Sequence, residues 1–344
     1  MNTTTTTRRR VERAPVSLTD ERLERLRDHI RAKQEPAHTA WLQLLQTAEA
    51  ELDRQPAPPR DWFVPWYYVR PEEHQLRKNG LRDDANASYA QALAYRMTGE
   101  ERFAHAAIRH LNAWSREIET MSREEDSTLA FSNLFPAFLF AADLLRTDSP
   151  WTPEDQTVFE QFIRERALPM NCMDHKNNWG NWGMVLAVAC AAYLQDRELL
   201  DRCADRWRFF IDTQIAADGH LPHEVNRNEG RHGVWYSHFS LMPQTLAAEI
   251  LRVNCATLFD YASPTGTNLR QACERLIPWI EQPATFPYWK GAPENLVRVD
   301  YYSYFEILRG HWPDFPADAL LRKARPMSAE HSAPFLTFTH GTPL

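Results

Sequence analysis

The chain has 344 residues, of which 43% are hydrophobic and 25% are charged, a composition typical of globular proteins. Its 46 acidic and 39 basic residues give a net charge of −7, which argues against a uniformly basic surface for nucleic acid. Only 11 residues are glycine, and neither G-x-G-x-x-G nor G-x-x-x-x-G-K-[ST] occurs in the sequence. The two common glycine-rich motifs for binding nucleotide phosphates are therefore excluded.

The N-terminal residues 1–16 are predicted to form a disordered arm, because a threonine run followed by three arginines has no apolar periodicity. No apolar stretch of the secretory type follows the arm, and no uncharged apolar run reaches the ~20 residues that cross a bilayer. The five cysteines lack C-x-x-C spacing and are expected to be reduced core thiols. We therefore expect a cytoplasmic protein with no membrane partner.

The first predicted helix follows Ser17, its expected cap, and has an apolar face made of Leu18, Leu23, Leu26 and Ile30. The Pro- and aromatic-rich residues 55–80 are predicted to form an ordered loop. Helical periodicity then continues almost without interruption. The predicted helices span residues 83–98, 100–117, 132–146, 152–168, 181–195, 197–215, 238–261 and 268–282.

These helices are of two kinds that alternate along the chain. Residues 132–146 and 181–195 are nearly all apolar, whereas residues 100–117 and 197–215 carry a charged stripe. A helix that is apolar all round is buried, one with a polar stripe faces water, and short connections make neighbours antiparallel. The alternation predicts an all-α fold, an α/α toroid or incomplete α/α barrel of inner and outer helices. An irregular bundle or an α-solenoid is the alternative, although no fixed-length repeat supports a solenoid.

One toroid domain is predicted over residues 17–325. Within it, the Pro- and aromatic-rich residues 283–325 are expected to form a last irregular helix pair that closes the ring. Residues 326–344 are expected to be a loose C-terminal tail. Loops at one end of the inner helices of a toroid converge on a cleft, so the loops that precede these helices are the places to search for function.

The first such loop is residues 171–183, NCMDHKNNWGNWG. Its amides and indoles suit a carbohydrate site, because amides bind hydroxyls or carboxylates and indoles cover sugar faces. The alternative is structural: Asn181 would cap the helix and the tryptophans would pack at the junction of loop and helix. The residues concerned are Asn177, Asn178, Trp179, Asn181 and Trp182.

The second loop, residues 218–238, holds the densest titratable cluster of the chain. The spacing of His220, His223 and Glu224 fits neither H-E-x-x-H nor a zinc-finger pattern, so we predict no metal and no other cofactor. A solvated polar loop without a catalytic role is the alternative. The cluster comprises His220, His223, Glu224, Arg227, Glu229, Arg231, His232, Tyr236 and His238.

Four stretches carry a family resemblance: WYYVRPEEH and the helix pair after it at 66–114, SNLFPAFLFAADLL at 132–145, NNWGNWGMVLAVACAAYLQDRELL at 177–200, and DGHLPHEVNR…GVWYSHFSL at 218–241. Taken in this order, they resemble the alginate lyase superfamily of α/α-toroid polysaccharide lyases. The resemblance spans about residues 60–260. It implies cleavage of a uronate polysaccharide by β-elimination, in which the C5 proton is removed and the leaving oxygen at C4 is protonated.

The C5 proton of a uronate lies α to a carboxylate, so its removal requires Asn, His or Arg to neutralise that carboxylate. By the resemblance, Asn178 is the neutralising Asn, and Arg231 binds the carboxylate, with Arg227 as the second choice because the register of this loop is open. Tyr236 matches the tyrosine that serves as base and acid. Its pKa must fall from ~10 for it to act as a base, and a nearby Arg or His⁺ is expected to lower it.

Two positions depart from the family pattern. Trp179 stands where active members often have His, and Phe239 stands where some members have a second Tyr. His232 or His238 is expected to substitute for the missing His. The predicted substrate-binding residues are Trp66, Tyr67, Trp179, Trp182, His223, Glu224 and Arg227.

The main hypothesis is a carbon–oxygen lyase acting on a carboxylated oligosaccharide or polysaccharide, with its oligomeric state left open. The alternative is the same scaffold repurposed as an intracellular biosynthetic enzyme for elimination or cyclisation of another small molecule, which the aromatic content of the cleft loops favours. A third is a glycoside hydrolase, which needs two carboxylates across a cleft, with candidates Asp83, Asp84, Asp218 and Glu224. The remaining hypothesis is a non-catalytic protein that binds carbohydrate or has a structural role.

Overall fold

The helical periodicity of the sequence is realised as a succession of helices. The computed structural model describes residues 13–289, 291, 298–329 and 331–344. Within these ranges the helices are α1 (Asp20–Arg31), α2 (Ala37–Ala50), α3 (Pro71–Thr98), α4 (Glu101–Glu117), α5 (Ser127–Leu134), α6 (Pro136–Leu145), α7 (Pro153–Phe162), α8 (Asn178–Leu194), α9 (Arg197–Gln214), α10 (Gly233–Asn254), α11 (Leu269–Glu281), α12 (Phe305–His311), α13 (Asp318–Ala324) and α14 (Leu336–His340). Two short strands, β1 (Asp61–Trp62) and β2 (Thr120–Met121), pair in parallel.

The inner layer of the ring consists of α3, α5 with α6, α8 and α10, which pack against one another in that order. In α8 every residue from Gly180 to Tyr193 is buried. The outer helix α4 instead buries one face, which includes Phe103, Leu111 and Trp114. This division follows from the sequence, since an all-apolar helix is stable only when it is surrounded. The predicted all-α toroid is confirmed.

The ring is closed by the C-terminal segment. Helix α14 packs against α2 and α12, and α12 packs against α10. Leu336 and Phe338 are each 1% exposed, and the Phe338 ring lies 5.7 Å from that of Trp41. The prediction of a loose tail over residues 326–344 is therefore wrong, because burial of these apolar side chains fixes the segment.

The expected N-terminal arm lies largely outside the described residues, because the description begins at residue 13. At its end, Val16 is fully buried. The backbone nitrogen of Val16 donates to Asp143 Oδ2 at 2.7 Å. The chain is therefore packed against the inner helix α6 before α1 begins.

Several helix ends differ from the prediction. Thr19, not Ser17, caps α1, and its hydroxyl accepts from the Arg22 nitrogen at 3.2 Å. Helix α3 begins at Pro71, so the second half of the expected loop is helical; proline suits the first turn, where its missing N–H has no partner to lose. Asn177 caps α8, accepting from the Trp179 nitrogen at 3.2 Å. Asn181 is not the cap.

One helical stretch of the described residues, Ser127–Leu145, is long and apolar enough to cross a membrane by length and composition alone. It comprises α5 and α6, and 89% of its most apolar window is buried inside the protein. Its apolar character is therefore accounted for by its place in the inner wall. The cysteines are all free thiols, and four of the five are buried.

Candidate active site

A cleft of about 790 Å³ lies at the end of the ring where α8 and α10 begin. Asn178, the first residue of α8, and Tyr236, in the first turn of α10, both line it. The opposite wall comes from the loop before α3, from α3 itself and from α5. Both loops that the sequence singled out therefore reach one cavity.

The first turns of α8 lie directly against the backbone of the loop before it, and two glycines make this close approach possible. A Cβ added to Gly180 would collide with the backbone of His175, and one added to Gly183 would collide with that of Cys172. This close approach requires residues without a side chain. It fixes the position of Asn178 at the floor of the cleft.

Asn178 is 1% exposed and is oriented by Glu224. Its backbone nitrogen donates to Glu224 Oε1 at 3.2 Å, and its Nδ2 lies 3.0 Å from both carboxylate oxygens. Because an ionised carboxylate only accepts hydrogen bonds, the amide nitrogen must face it. The Oδ1 of Asn178 is buried without a hydrogen-bond partner.

Glu224 also holds Arg227, whose Nε donates to Oε2 at 3.3 Å. The guanidinium carbon of Arg227 lies 5.0 Å from the centre of the Tyr236 ring, a cation–π contact. One buried carboxylate thus positions both the amide of Asn178 and the guanidinium beside Tyr236.

The Tyr236 hydroxyl lies 2.7 Å from that of Tyr68. Burial, followed by the hydrogen bond to Tyr68, raises the pKa of Tyr236, and the opposing effect of Arg227 is smaller. The sequence predicted a lowered pKa, whereas in this structure desolvation outweighs the cation and raises it. Tyr236 is therefore protonated and is a proton donor.

His232 is half-buried and lines the cleft one helical turn before Tyr236. The two rings lie 6.4 Å apart. Burial, and next the charge of Arg231, lowers the pKa of His232. The imidazole is therefore neutral at pH 7 and is able to accept a proton.

Seven of the predicted site residues line the cleft: Asn178, Tyr236, His232, Arg227, Trp66, Tyr67 and Trp179. The Trp66 and Trp179 rings lie 5.9 Å apart, and Trp66 is 45% exposed. One exposed and one half-buried indole beside a polar cleft suit the apolar faces of sugar rings. Glu224 does not line the cleft and contributes to it only through Asn178 and Arg227, which it holds.

Besides Glu224, four other predicted site residues do not line the cleft. Arg231 is exposed outside it, whereas Arg227, the second choice, lines the cleft. His238 is 1% exposed, its Nδ1 lies 3.0 Å from the Tyr304 hydroxyl, and burial lowers its pKa to about 3. Trp182 is fully buried behind Phe239. His223 is exposed on the loop surface.

Sequence reasoning missed several residues of the cleft, namely Tyr68, His74, Asp126, Asn133 and His331. The Nδ1 of His74 lies 2.8 Å from the Pro65 carbonyl oxygen and 3.3 Å from Asp126 Oδ2. Tyr68 and His74 stand in the WYYVRPEEH stretch and could have been found there. His331 had no local signal, because its segment was interpreted as a tail.

The carboxylates proposed for a glycoside hydrolase do not face each other across the cleft. Asp84 is buried and accepts from the Trp114 indole at 2.8 Å, and Asp218 pairs with His220. Of the described carboxylates only Asp126 lines the cleft, whereas glycosidases use two. Among the same residues no group of three His, Cys, Asp or Glu side chains could hold a metal ion.

The chain is an α/α toroid with Tyr236, Asn178 and Arg227 in a cleft at one end of the ring. This is the architecture of an α/α-toroid enzyme. Residues 30–286 of the chain match the alginate lyase family. Because this match covers most of the sequence, the chain belongs to the alginate lyase family. It is a lyase of the polysaccharide-cleaving class.

Solved structures of alginate lyases share the fold. Alginate lyase A1-III from Sphingomonas species A1 superposes with a TM-score of 0.76 at 16% identity, over 97% of each chain. A tyrosine-to-phenylalanine variant of A1-III complexed with tetrasaccharide gives 0.75 at 17%, again over 97% of each chain. An alginate lyase from Bacteroides ovatus gives 0.72 at 16%, over 96% of this chain and 100% of that one. No curated protein matches the sequence significantly.

Proposed function

We propose that this enzyme cleaves a uronate-containing oligosaccharide or polysaccharide by β-elimination. The observation that carries the proposal is the group built on Glu224: the carboxylate orients Asn178 and Arg227, and Arg227 lies against Tyr236. A cation, an amide and a phenol in one cleft are the groups that this elimination requires. The complexes of alginate lyase A1-III with tetrasaccharide support an oligosaccharide ligand.

The charge of the cleft supports an anionic substrate. Among the described residues, Lys78, Arg227 and Arg298 line the cleft, and the carboxylate that accompanies them is Asp126. The cleft therefore presents several cationic side chains, although the net charge of the protein is −7. Cationic side chains in a cleft attract a polyanion to the site.

The substrate carboxylate must be neutralised before the C5 proton can leave. We assign this role to Arg227, because electrostatic stabilisation is greatest where the charged group is already held in place. The faces of the sugar rings would lie against Trp66 and Trp179. These indoles provide apolar area without adding charge.

Two proton transfers complete the reaction. We propose that neutral His232 takes the C5 proton, that the electrons of the C5–H bond form the C4=C5 double bond, and that the C4–O bond breaks. Tyr236 then gives its proton to the leaving oxygen. The raised pKa of Tyr236 and the lowered pKa of His232 support this division, because each group already holds the protonation state that its role needs.

Ultraviolet absorbance during incubation with a panel of uronate polymers and oligomers tests the proposal. Elimination creates a double bond conjugated to the carboxylate, so absorbance should rise with at least one substrate. The matched control is Tyr236→Phe, which should give no rise although it folds. A flat trace across the panel from folded wild-type protein would overturn the uronate assignment and favour the same scaffold acting on another small molecule.

A further inference from the structure

A second cavity, of about 270 Å³, lies far from the cleft. It is lined near the C-terminal end of α10 by Glu249 and Arg252, and it is also lined by α1, α12 and α14. Since an α-helix rises 1.5 Å per residue, the 13 residues from Tyr236 to Glu249 separate the two sites by about 20 Å. This cavity is therefore distinct from the candidate active site.

The second cavity contains an arginine without a counter-ion. Arg22 is partly buried, and its Nη1 donates to the Thr339 carbonyl oxygen at 2.9 Å. Among the described residues no carboxylate forms an ion pair with this guanidinium. Burial lowers the pKa of Arg22, and the neighbouring charges of Arg25 and Arg252 lower it further against the attraction of Glu249. A partly desolvated cation without an anion is a costly arrangement.

The carboxylates of the cavity are occupied by other arginines. Glu249 accepts from Arg252 at 2.8 and 2.7 Å, a bidentate pair, and Glu21 pairs with Arg25. Both carboxylates are thus balanced within their own pairs. The charge of Arg22 remains in excess in the cavity.

A buried imidazole provides a second, independent observation. His340 is 6% exposed and lines the cavity. Its Nδ1 is hydrogen-bonded to the Thr339 hydroxyl at 2.8 Å, whereas its Nε2 is buried without a hydrogen-bond partner, 3.4 Å from Glu249 Oε1. The nearby carboxylate favours the tautomer with a proton on Nε2, so a donor that Glu249 attracts from 3.4 Å lies at the cavity wall.

We propose that the second cavity is a binding site for a small tetrahedral oxoanion such as phosphate. The anion would supply the counter-charge for Arg22, with Arg25, Arg252 and the Nε2–H of His340 at the wall. Guanidinium groups match the oxygens of such anions in geometry and charge. Glu249 and Glu21 also face the cavity, so binding depends on their own pairs with arginine staying intact.

Calorimetric titration of the full chain with sodium phosphate, against sodium chloride of equal ionic strength, tests the proposal. Wild-type protein should bind one phosphate saturably. Binding should be lost in Arg22→Met and retained in Arg31→Met, because Arg31 lies on the same helix but is exposed and paired with Asp28. The cleft also contains an arginine, so Arg227→Gln serves as a second control and should keep full binding.

Three results would overturn the assignment: no saturable binding to wild-type protein, equal binding by the two α1 variants, or loss of binding in Arg227→Gln with retention in Arg22→Met. If Arg22→Met does not fold, Arg22→Lys decides the case. It keeps the charge but not the planar donor fork, so it should bind phosphate at least about tenfold more weakly than wild-type protein. Unchanged binding by Arg22→Lys would count against the site.

Discussion

The carboxylate of Glu224 accepts hydrogen bonds from both the backbone nitrogen and the side-chain nitrogen of Asn178. The two residues are 46 positions apart and each is 1% exposed. This contact joins the two loops that the sequence marked as functional. It also explains why a buried acid belongs to the site although it does not touch the cleft: a charged acceptor fixes which end of the amide faces it.

Glu224→Gln should therefore impair the chemical step. A glutamine has one acceptor oxygen instead of two and no charge to hold Arg227, so we expect kcat to fall at least about tenfold with a smaller change in KM. Steady-state kinetics on the uronate substrate measure both. Glu229→Gln, on the same loop and exposed, is the control and should be near wild type. A wild-type kcat in Glu224→Gln would exclude the positioning role.

Tyr236→Phe removes the proposed proton donor and should lower turnover by about 10²–10⁴-fold, the usual contribution of general acid catalysis. Its hydrogen-bond partner Tyr68 is 73% exposed. Tyr68→Phe should keep activity within several-fold, because it removes one of the contacts that raise the pKa of Tyr236 but no reacting group. Equal losses in the two variants would show that the pair acts as a unit.

His232→Gln distinguishes a separate base from a single tyrosine that does both tasks. If His232 takes the C5 proton, turnover should fall by at least about 100-fold. Since burial lowers its pKa, the acid limb of the wild-type kcat/KM profile should have its midpoint below pH 6.5. His223→Gln, exposed on the same loop, should leave rate and profile unchanged. Full activity in His232→Gln would return both proton transfers to Tyr236.

Arg227 and Arg231 form a matched pair, since they lie on one loop and only Arg227 lines the cleft. Arg227→Gln should lower kcat/KM by at least about 100-fold, because a charged hydrogen bond to the substrate carboxylate is lost where it matters most. Arg231→Gln should stay within about twofold. Initial rates at low substrate measure both values of kcat/KM. A larger loss in Arg231→Gln than in Arg227→Gln would make Arg231, the first choice from the sequence, the arginine that binds the carboxylate.

The inner helices were predictable because their apolar residues cover every side, which leaves burial as the one stable solution. The two functional loops were predictable because they precede such helices. The part that α14 plays in closing the ring was not, since its five residues are too few to show a period. His331 was missed as a cleft residue for the same reason, because it lines the cleft only when the C-terminal segment closes the ring.

The error at His238 has a geometric origin. The sequence placed the start of this helix between residues 236 and 238, whereas α10 starts at Gly233. Residues two apart on a helix point about 200° from each other, and residues three or four apart share a face. Tyr236 therefore shares the cleft with His232 and Phe239, while His238 points into the core.

His238 should consequently govern stability rather than catalysis. Its pKa is about 3 in the folded protein and ~6.5 when unfolded. Between these values the unfolded chain binds more protons, so stability is fully present above pH 6.5 and falls as the pH drops, by up to about 1.4 kcal/mol per unit. His110, whose pKa burial also lowers to about 3, adds to the slope.

Urea unfolding at pH 7 and pH 5 measures this slope. His238→Asn keeps a polar atom for Tyr304 but cannot titrate, so its loss of stability between the two pH values should be about 2 kcal/mol smaller than that of wild type. Its turnover at pH 7 should be close to wild type, since the residue does not line the cleft. His105→Asn, exposed on α4, should keep the full wild-type slope. An unchanged slope in His238→Asn would mean that His238 titrates alike in the folded and unfolded chains, and a loss of turnover would return it to the catalytic group.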